Sequence, residues 1–178
     1  MISKRRLSAR PALADPGTAA RIIPMTDVRI RLAILADCEE LARLRAALWP
    51  ESPEEEHRAE LRALLSGDRV STLPVAIFVA HASDLALVGF LEVGLRSHAD
   101  GCDTRQPVGF VEGWFVEENR RRKGLGSQLL AAAEEWARSQ GCTEIASDTW
   151  IDHTLSQRVH EALKFEVVDR CVHYRKQL

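Results

Sequence analysis

The stretch Gly109–Gly126, GFVEGWFVEENRRRKGLG, constrains this chain more than any other. Its first half, Gly109–Val116, is a short apolar run containing Phe, Val and Trp and bounded by Gly, which suits a buried strand better than a helix. A polar bend, Glu117–Asn119, leads into four consecutive cations and then Gly124-Leu125-Gly126. From there Leu125, Leu129, Ala133 and Trp136 share one stripe, as in an amphipathic helix. A glycine-rich turn at a helix start leaves backbone N–H groups unpaired, and the helix dipole favours phosphate there. Gly124 and Gly126 lack Cβ atoms, so a pyrophosphate could approach the backbone closely. Arg121, Arg122 and Lys123 add fixed positive charge beside it. A plain basic surface loop capped by glycines satisfies the same string, so the loop alone does not decide.

The 178 residues suit one domain with a full core, and the apolar (46%) and charged (28%) fractions are those of a soluble globular protein. No apolar run approaches a membrane span. Cys38, Cys102, Cys142 and Cys171 are scattered without ligand spacing, which reads as free thiols in the cytoplasm and gives no metal site. The net charge of −2 hides an asymmetry: residues 1–24 hold five of the 24 Lys/Arg and one of the 26 acids, leaving the remainder at −6. That balance disfavours nucleic acid as a partner.

Residues 1–24 lack periodicity and contain three prolines; they read as a disordered leader or an over-extended start, with the folded domain at 25–178. Val28, Ile30 and Leu32 alternate with arginines as a first strand. Asp37-x-x-Glu40 predicts a capping box and a helix ending at Trp49-Pro50. Ser52-Pro53 predicts an N-cap with proline at the first helical position, and Gly67 a stop. Pro74–His81 and Leu85–Leu95 read as a hairpin turning at Ala82–Asp84, followed by a polar loop, His98–Pro107. After the central strand and helix, Gly141 predicts a helix stop, Thr143–Asp148 a strand and Thr154–Leu163 a helix. Phe165–Val168 and Cys171–Tyr174 read as two last strands.

Arg121-x-x-Gly124-x-Gly126, placed between a strand and a helix, resembles the acetyl-CoA pyrophosphate loop of the GNAT superfamily of N-acetyltransferases. The order of elements from about Asp27 onward is similar to that family. The resemblance implies an α/β (α+β) fold: a mixed, mostly antiparallel sheet with a splayed parallel strand pair and flanking helices. It also implies acetyl-CoA as co-substrate, held by Arg121, Arg122, Lys123, Gly124, Leu125 and Gly126, with backbone N–H groups in Trp114, Phe115 and Val116 on the thioester carbonyl. Gly113 is a plausible place for that strand to bulge.

Glu112 is a carboxylate inside an otherwise apolar strand, where an unpartnered charge is costly, although a strand-edge acid facing solvent is the plain alternative. Asp148 ends the next parallel strand, and such strand ends share a crevice. Two carboxylates there could bind an ammonium and, through water, accept its proton; both are the catalytic candidates. Leu48-Trp49-Pro50, Gly101-Cys102-Asp103, Glu112-Gly113-x-Phe115-Val116, Ala146-Ser147-Asp148-Thr149 and Ser156-Gln157-x-Val159-His160 together resemble the chromosomal-type aminoglycoside 6′-N-acetyltransferases. That group implies substrate contacts at Trp49, His98, Glu112, Asp148 and Asp169, though His98 stands where a relative has Tyr. His153 replaces an Asn expected beside the pantetheine arm. His160 occupies the place of a Tyr acid in many acetyltransferases, and either that role or plain helix-face packing fits. Lys164 replaces a Gly, so that helix end is expected to be capped differently. The expected assembly is a homodimer. Two other readings share the features: a transferase for another cationic amine (a polyamine or protein N-terminus), and a non-catalytic acetyl-CoA-binding module.

Overall fold

The computed structural model describes residues 28–67, 72–82 and 86–177. The leader at 1–24, the domain start at Met25 and the turn residues Ser83 and Asp84 with Leu85 lie outside the described residues.

Five strands form one sheet in chain order: β1 (Arg29–Leu32), β2 (Val75–His81), β3 (Leu87–Arg96), β4 (Val108–Val116) and β5 (Ile145–Ser147). β1 to β4 are antiparallel neighbours, and β5 joins β4 in parallel. Helices α1 (Cys38–Leu48) and α2 (Glu54–Leu65) cover one face, burying Leu41, Leu44 and Leu61 against Ile77, Val79 and Phe90. Helix α3 (Leu125–Ser139) covers the other, with Leu125, Leu129, Leu130 and Ala133 against Phe78, Leu91, Val93 and Val111. The two strand faces alternate at period 2, so β3 sends Phe90 to one helical layer and Leu91 to the other. A last helix, α4 (Thr154–Ala162), follows β5.

The expected strands and helices appear with shifted ends, and four local expectations change. Asp37 does not cap α1 through its side chain; its carboxylate accepts from Ile34 N–H at 2.8 Å and from Arg31, bracing the short turn before the helix. Pro53 itself is the N-cap of α2, in an extended conformation with no side-chain cap. Lys164 takes the left-handed φ of 72° usual for glycine, and Phe165 N–H to His160 C=O (3.0 Å) with Lys164 N–H to Glu161 C=O (3.1 Å) completes a Schellman ending. The terminus is therefore capped in the ordinary way, at the expense of strain on Lys164 of about 1–2 kcal/mol. Finally, Phe165–Val168 and Cys171–Tyr174 are not strands. Residues 163–177 pair with no strand, and Val167, Val168, Val172 and Tyr174 are exposed, so their alternating pattern finds no sheet edge to complete.

Candidate active site

The central stretch builds the site by two departures from regular pairing. The first is a bulge. β3 and β4 pair Glu92 with Gly113 but Val93 with Val111, which leaves Glu112 as the extra residue with no partner. Glu92 and Gly113 face α1 and α2, where Glu92 is buried in a bidentate pair with Arg45 (2.5 and 2.7 Å). The distortion expected at Gly113 thus falls one residue earlier. Gly113 instead makes room for a ring, because a Cβ there would overlap the Trp49 indole, lying 2.7 Å from its Cζ2. Trp49 rests on this glycine, edge-on to Phe90 (centroids 6.2 Å apart) and beside His57 (6.1 Å), just where α1 ends.

The second departure is the splay. β5 pairs with β4 only at Gly109–Ile145, Phe110–Ala146 and Val111–Ser147, and then ends while β4 runs on to Val116. Val111 and Ser147 are the last partners, so Glu112 and Asp148 are the first residues of the two strands beyond the pairing. Glu117 N–H bonds Val88 C=O at 3.0 Å, so strand alternation turns the N–H groups of Trp114 and Val116 away from β3, toward the side that β5 has vacated. Phe115 N–H points back to β3 by the same alternation, which narrows the expected donors to Trp114 and Val116. The Phe115 ring packs near Phe90, centroids 6.3 Å apart.

The basic loop follows at once. Of its four cations Arg120 is buried, while Arg121, Arg122 and Lys123 are exposed. Arg121 Nε donates to Val116 C=O at 2.8 Å, tying the loop to the end of β4. Gly124 is the N-cap of α3 with a left-handed φ of 80°, a conformation that glycine adopts freely. Leu125 is buried in the core and anchors the helix start. A Cβ on Gly126 would lie 3.4 Å from the Trp114 indole, so the loop passes close over that ring.

His160 on α4 also packs against Trp114, ring centroids 5.8 Å apart and near perpendicular. Its Nδ1 lies 2.8 Å from Ser156 C=O and its Nε2 3.0 Å from Ser147 Oγ. The carbonyl can only accept, so Nδ1 donates to it, while Nε2 shares its hydrogen bond with the Ser147 hydroxyl. Both ring nitrogens are thus engaged within the fold. The arrangement favours packing between Trp114 and Phe165 over a proton donor for a thiolate.

The remaining candidates lie further out. His98 is exposed in the loop after β3, with Ser97 Oγ 3.2 Å from its Nδ1. His153 is exposed and N-caps α4 through its backbone. Asp169 is exposed on the unpaired C-terminal segment, where it accepts from Arg170 N–H. Its neighbour Val168 packs against Gly101, in the same loop as His98. Glu112, Trp114 and Val116 lie on β4, Asp148 just past β5 and Trp49 at the end of α1 over Gly113; His98, His153 and Asp169 lie in segments between or beyond the strands. Nothing in the sequence pattern marks Arg96, whose guanidinium holds Glu112 Oε1 at 2.9 Å and Oε2 at 2.6 Å. Arg96 ends β3 opposite Val108, and only the bulge register reveals that it reaches Glu112. Among the described residues no cluster of His, Cys, Asp and Glu is arranged to hold a metal, and no helix is long and apolar enough to cross a membrane.

Residues 39–165 match the family model described as "Acetyltransferase (GNAT) family". This chain belongs to the GNAT acetyltransferase family. The acetyltransferase is 45% identical over 136 residues to the aminoglycoside N(6′)-acetyltransferase type 1 of Serratia marcescens, covering 76% of this chain and 89% of that protein. It is 38% identical over 149 residues to the protein of the same name from Klebsiella aerogenes, covering 84% and 96%. Among solved structures it superimposes on AAC(6′)-Iy in complex with the bisubstrate analogue CoA-S-monomethyl-acetylneamine, at 37% identity and a TM-score of 0.76, covering 86% of this chain and all of the other. AAC(6′)-Ih from Acinetobacter baumannii gives a TM-score of 0.75 at 29% identity, covering 85% and 99%. The fold expectation holds in its sheet and its splayed pair; it fails only in the two last strands.

Proposed function

We propose that this GNAT protein transfers the acetyl group of acetyl-CoA to the 6′-amine of aminoglycoside antibiotics and so confers resistance to them. The observation that carries the reading is the vacated side of β4. The N–H groups of Trp114 and Val116 turn to that side, the basic loop before α3 follows the end of β4, and Glu112 and Asp148 come next after the last β4–β5 pair, which supports reading these groups as one site. The named relatives, similar over most of both chains, support the choice of amine.

The residues fit acetyl-CoA. Exposed Arg121, Arg122 and Lys123 flank the left-handed Gly124 and the unpaired N–H groups of the first α3 turn, a setting for a pyrophosphate. Bound acetyl-CoA supplies an activated thioester. Trp114 and Val116 N–H then polarise its carbonyl oxygen, a preorganised donor pair that gains most as charge develops. Glu112 and Asp148 hold the substrate ammonium, and its proton passes through water to the Asp148 carboxylate so that the free amine attacks the thioester carbon; the C–S bond then breaks, and the CoA thiolate leaves with the second proton shed by the acetylated nitrogen. Trp49 offers an apolar wall to the sugar ring; Asp169 and His98 line its outer end. A substrate with several ammonium groups is met by several carboxylates, which also hastens capture.

We further propose that residues 25–178 form the catalytic domain and that it works as a cytoplasmic homodimer. The exposed apolar side chains of 167–174 suit burial by a second copy, and four free cysteines suit a reducing compartment. Light scattering tests the dimer, and the mass of a single chain would overturn it. Thiol release from acetyl-CoA with kanamycin, spermidine and a peptide amine tests the function: rapid turnover of kanamycin alone is expected, and preference for either other amine would overturn the reading.

A further inference from the structure

The bulge that frees Glu112 from the ladder also deprives it of a cross-strand partner to fix its side chain. Strand alternation and the bulge put Phe110, Glu112 and Gly113 on the α1–α2 face, together with Gly94 and Arg96 of β3. Arg96 closes a side-on fork on the carboxylate, Nε to Oε1 at 2.9 Å and Nη2 to Oε2 at 2.6 Å. The guanidinium is itself fixed, because its Cζ lies 3.2 Å from the centroid of the Phe110 ring. Phe110 is buried, with Gly94 and Ala146 as its strand partners, so the guanidinium rests on a packed ring. The side chains of Arg96 and Glu112 are 39% and 28% exposed, which puts the pair at the solvent boundary beside the Trp49 seat rather than in the core. A core ion pair would speak only for folding; a fork at the rim of the proposed amine site aims a charge.

We propose that Arg96 is a positioning residue for acetyl transfer, acting through Glu112 by holding its carboxylate in one orientation toward the substrate amine. The inference rests on the function proposed above. A planar guanidinium engages both oxygens at once, whereas a lysine ammonium is a point charge that can fix only one. Both oxygens remain able to accept a further hydrogen bond, since a carboxylate has about four lone-pair sites and the fork uses two. The substrate ammonium then binds a carboxylate already oriented, and no ordering of Glu112 is needed when it arrives.

The test is a mutant cycle of Arg96→Gln, Arg96→Lys, Glu112→Gln and the Arg96→Gln/Glu112→Gln double variant. It reads kcat and KM for kanamycin, with acetyl-CoA affinity by calorimetry and urea unfolding as controls. Arg96→Gln is expected to lower kcat/KM roughly tenfold through a mis-aimed carboxylate, with Arg96→Lys in between. The double variant should fall within about twofold of Glu112→Gln alone, because Arg96 has nothing left to orient. Acetyl-CoA affinity should stay at the wild-type value throughout. A double variant that loses the product of the two single effects would overturn the proposal, as would an Arg96→Gln enzyme that equals or exceeds the wild type. If Arg96→Gln does not fold, Arg96→Lys takes its place in the same cycle with the same criteria. A wild-type enzyme inactive on kanamycin overturns the proposed function and this inference with it; an active wild type with an additive cycle overturns the role of Arg96 alone.

Discussion

The indole of Trp49 occupies the space that a side chain on Gly113 would need. This contact joins the end of α1 to the β4 bulge and fixes one wall of the proposed site. Gly113→Ala must therefore displace the ring, because a packed interior answers an added methyl with a shift costing about 1–3 kcal/mol. The variant is expected to fold with that loss in urea unfolding and to lose kcat/KM for kanamycin at least tenfold. Trp49→Ala should relieve the clash, so the pair of changes should be less damaging than their sum. A Gly113→Ala enzyme of normal stability and activity would show that the ring has another place to go.

The cofactor loop is tested at Gly126. A Cβ there would meet the Trp114 indole at ordinary contact distance, so the fold tolerates it, but the branches of valine would crowd the first turn of α3. Gly126→Val should weaken acetyl-CoA binding with little change in melting temperature. Calorimetry giving wild-type affinity in a folded variant would remove this loop from the cofactor site.

Asp37 sets a pH dependence of stability. Burial raises its carboxyl, but the Arg31 guanidinium and the Ile34 N–H more than offset that, so its folded value lies below the ordinary one. A depressed carboxyl contributes stability that is complete above its unfolded pKa of about 3.9 and is lost as pH falls through the lower folded value. Asp37→Asn should destabilise the protein at pH 7 by about 1–2 kcal/mol, allowing for the partly exposed Arg31. The difference should shrink once the pH drops below about 4. A difference that stays constant from pH 7 to pH 3 would assign the loss to shape rather than charge.

Much of this is legible in the sequence, and the misses have physical causes. The apolar run of β4, the glycines before α3 and the Gly141 stop are local signals, and each marks its element correctly. The parallel pairing expected of these two strands is also observed, although β5 stops at Ser147 while β4 runs on past Glu112 to Val116. What stays hidden depends on register. One extra residue at Glu112 decides which side chains face it, and no pattern in the sequence places Arg96 there across the loop after β3. The partners of Trp49 and His160 are equally non-local: Gly113 reads as a bulge site and proves to be a seat for the indole, and Ser147 reads only as part of a strand. The last two strands are expected from alternation alone, which records the pattern a strand would have but not whether a neighbour is there to pair with it.

Asp148 separates amine binding from cofactor binding. Asp148→Asn keeps the size and removes one charge. A hydrogen bond to a charged group is worth about 1.5–3 kcal/mol, so kcat/KM for kanamycin should fall roughly ten- to a hundredfold. Acetyl-CoA affinity should be nearly unchanged, because the basic loop lies on the β4–α3 side. Normal kinetics in this variant would take the carboxylate out of the site.

The central claim is that the accepting group is the 6′-amine, and the most direct measurement compares kanamycin with paromomycin, an aminoglycoside that bears a hydroxyl at the 6′ position instead of an amine. Thiol release from acetyl-CoA should be rapid with kanamycin and at least about a hundredfold slower with paromomycin, since a site built for an ammonium leaves its carboxylates unpaired against a hydroxyl. Comparable turnover of the two drugs would contradict the account.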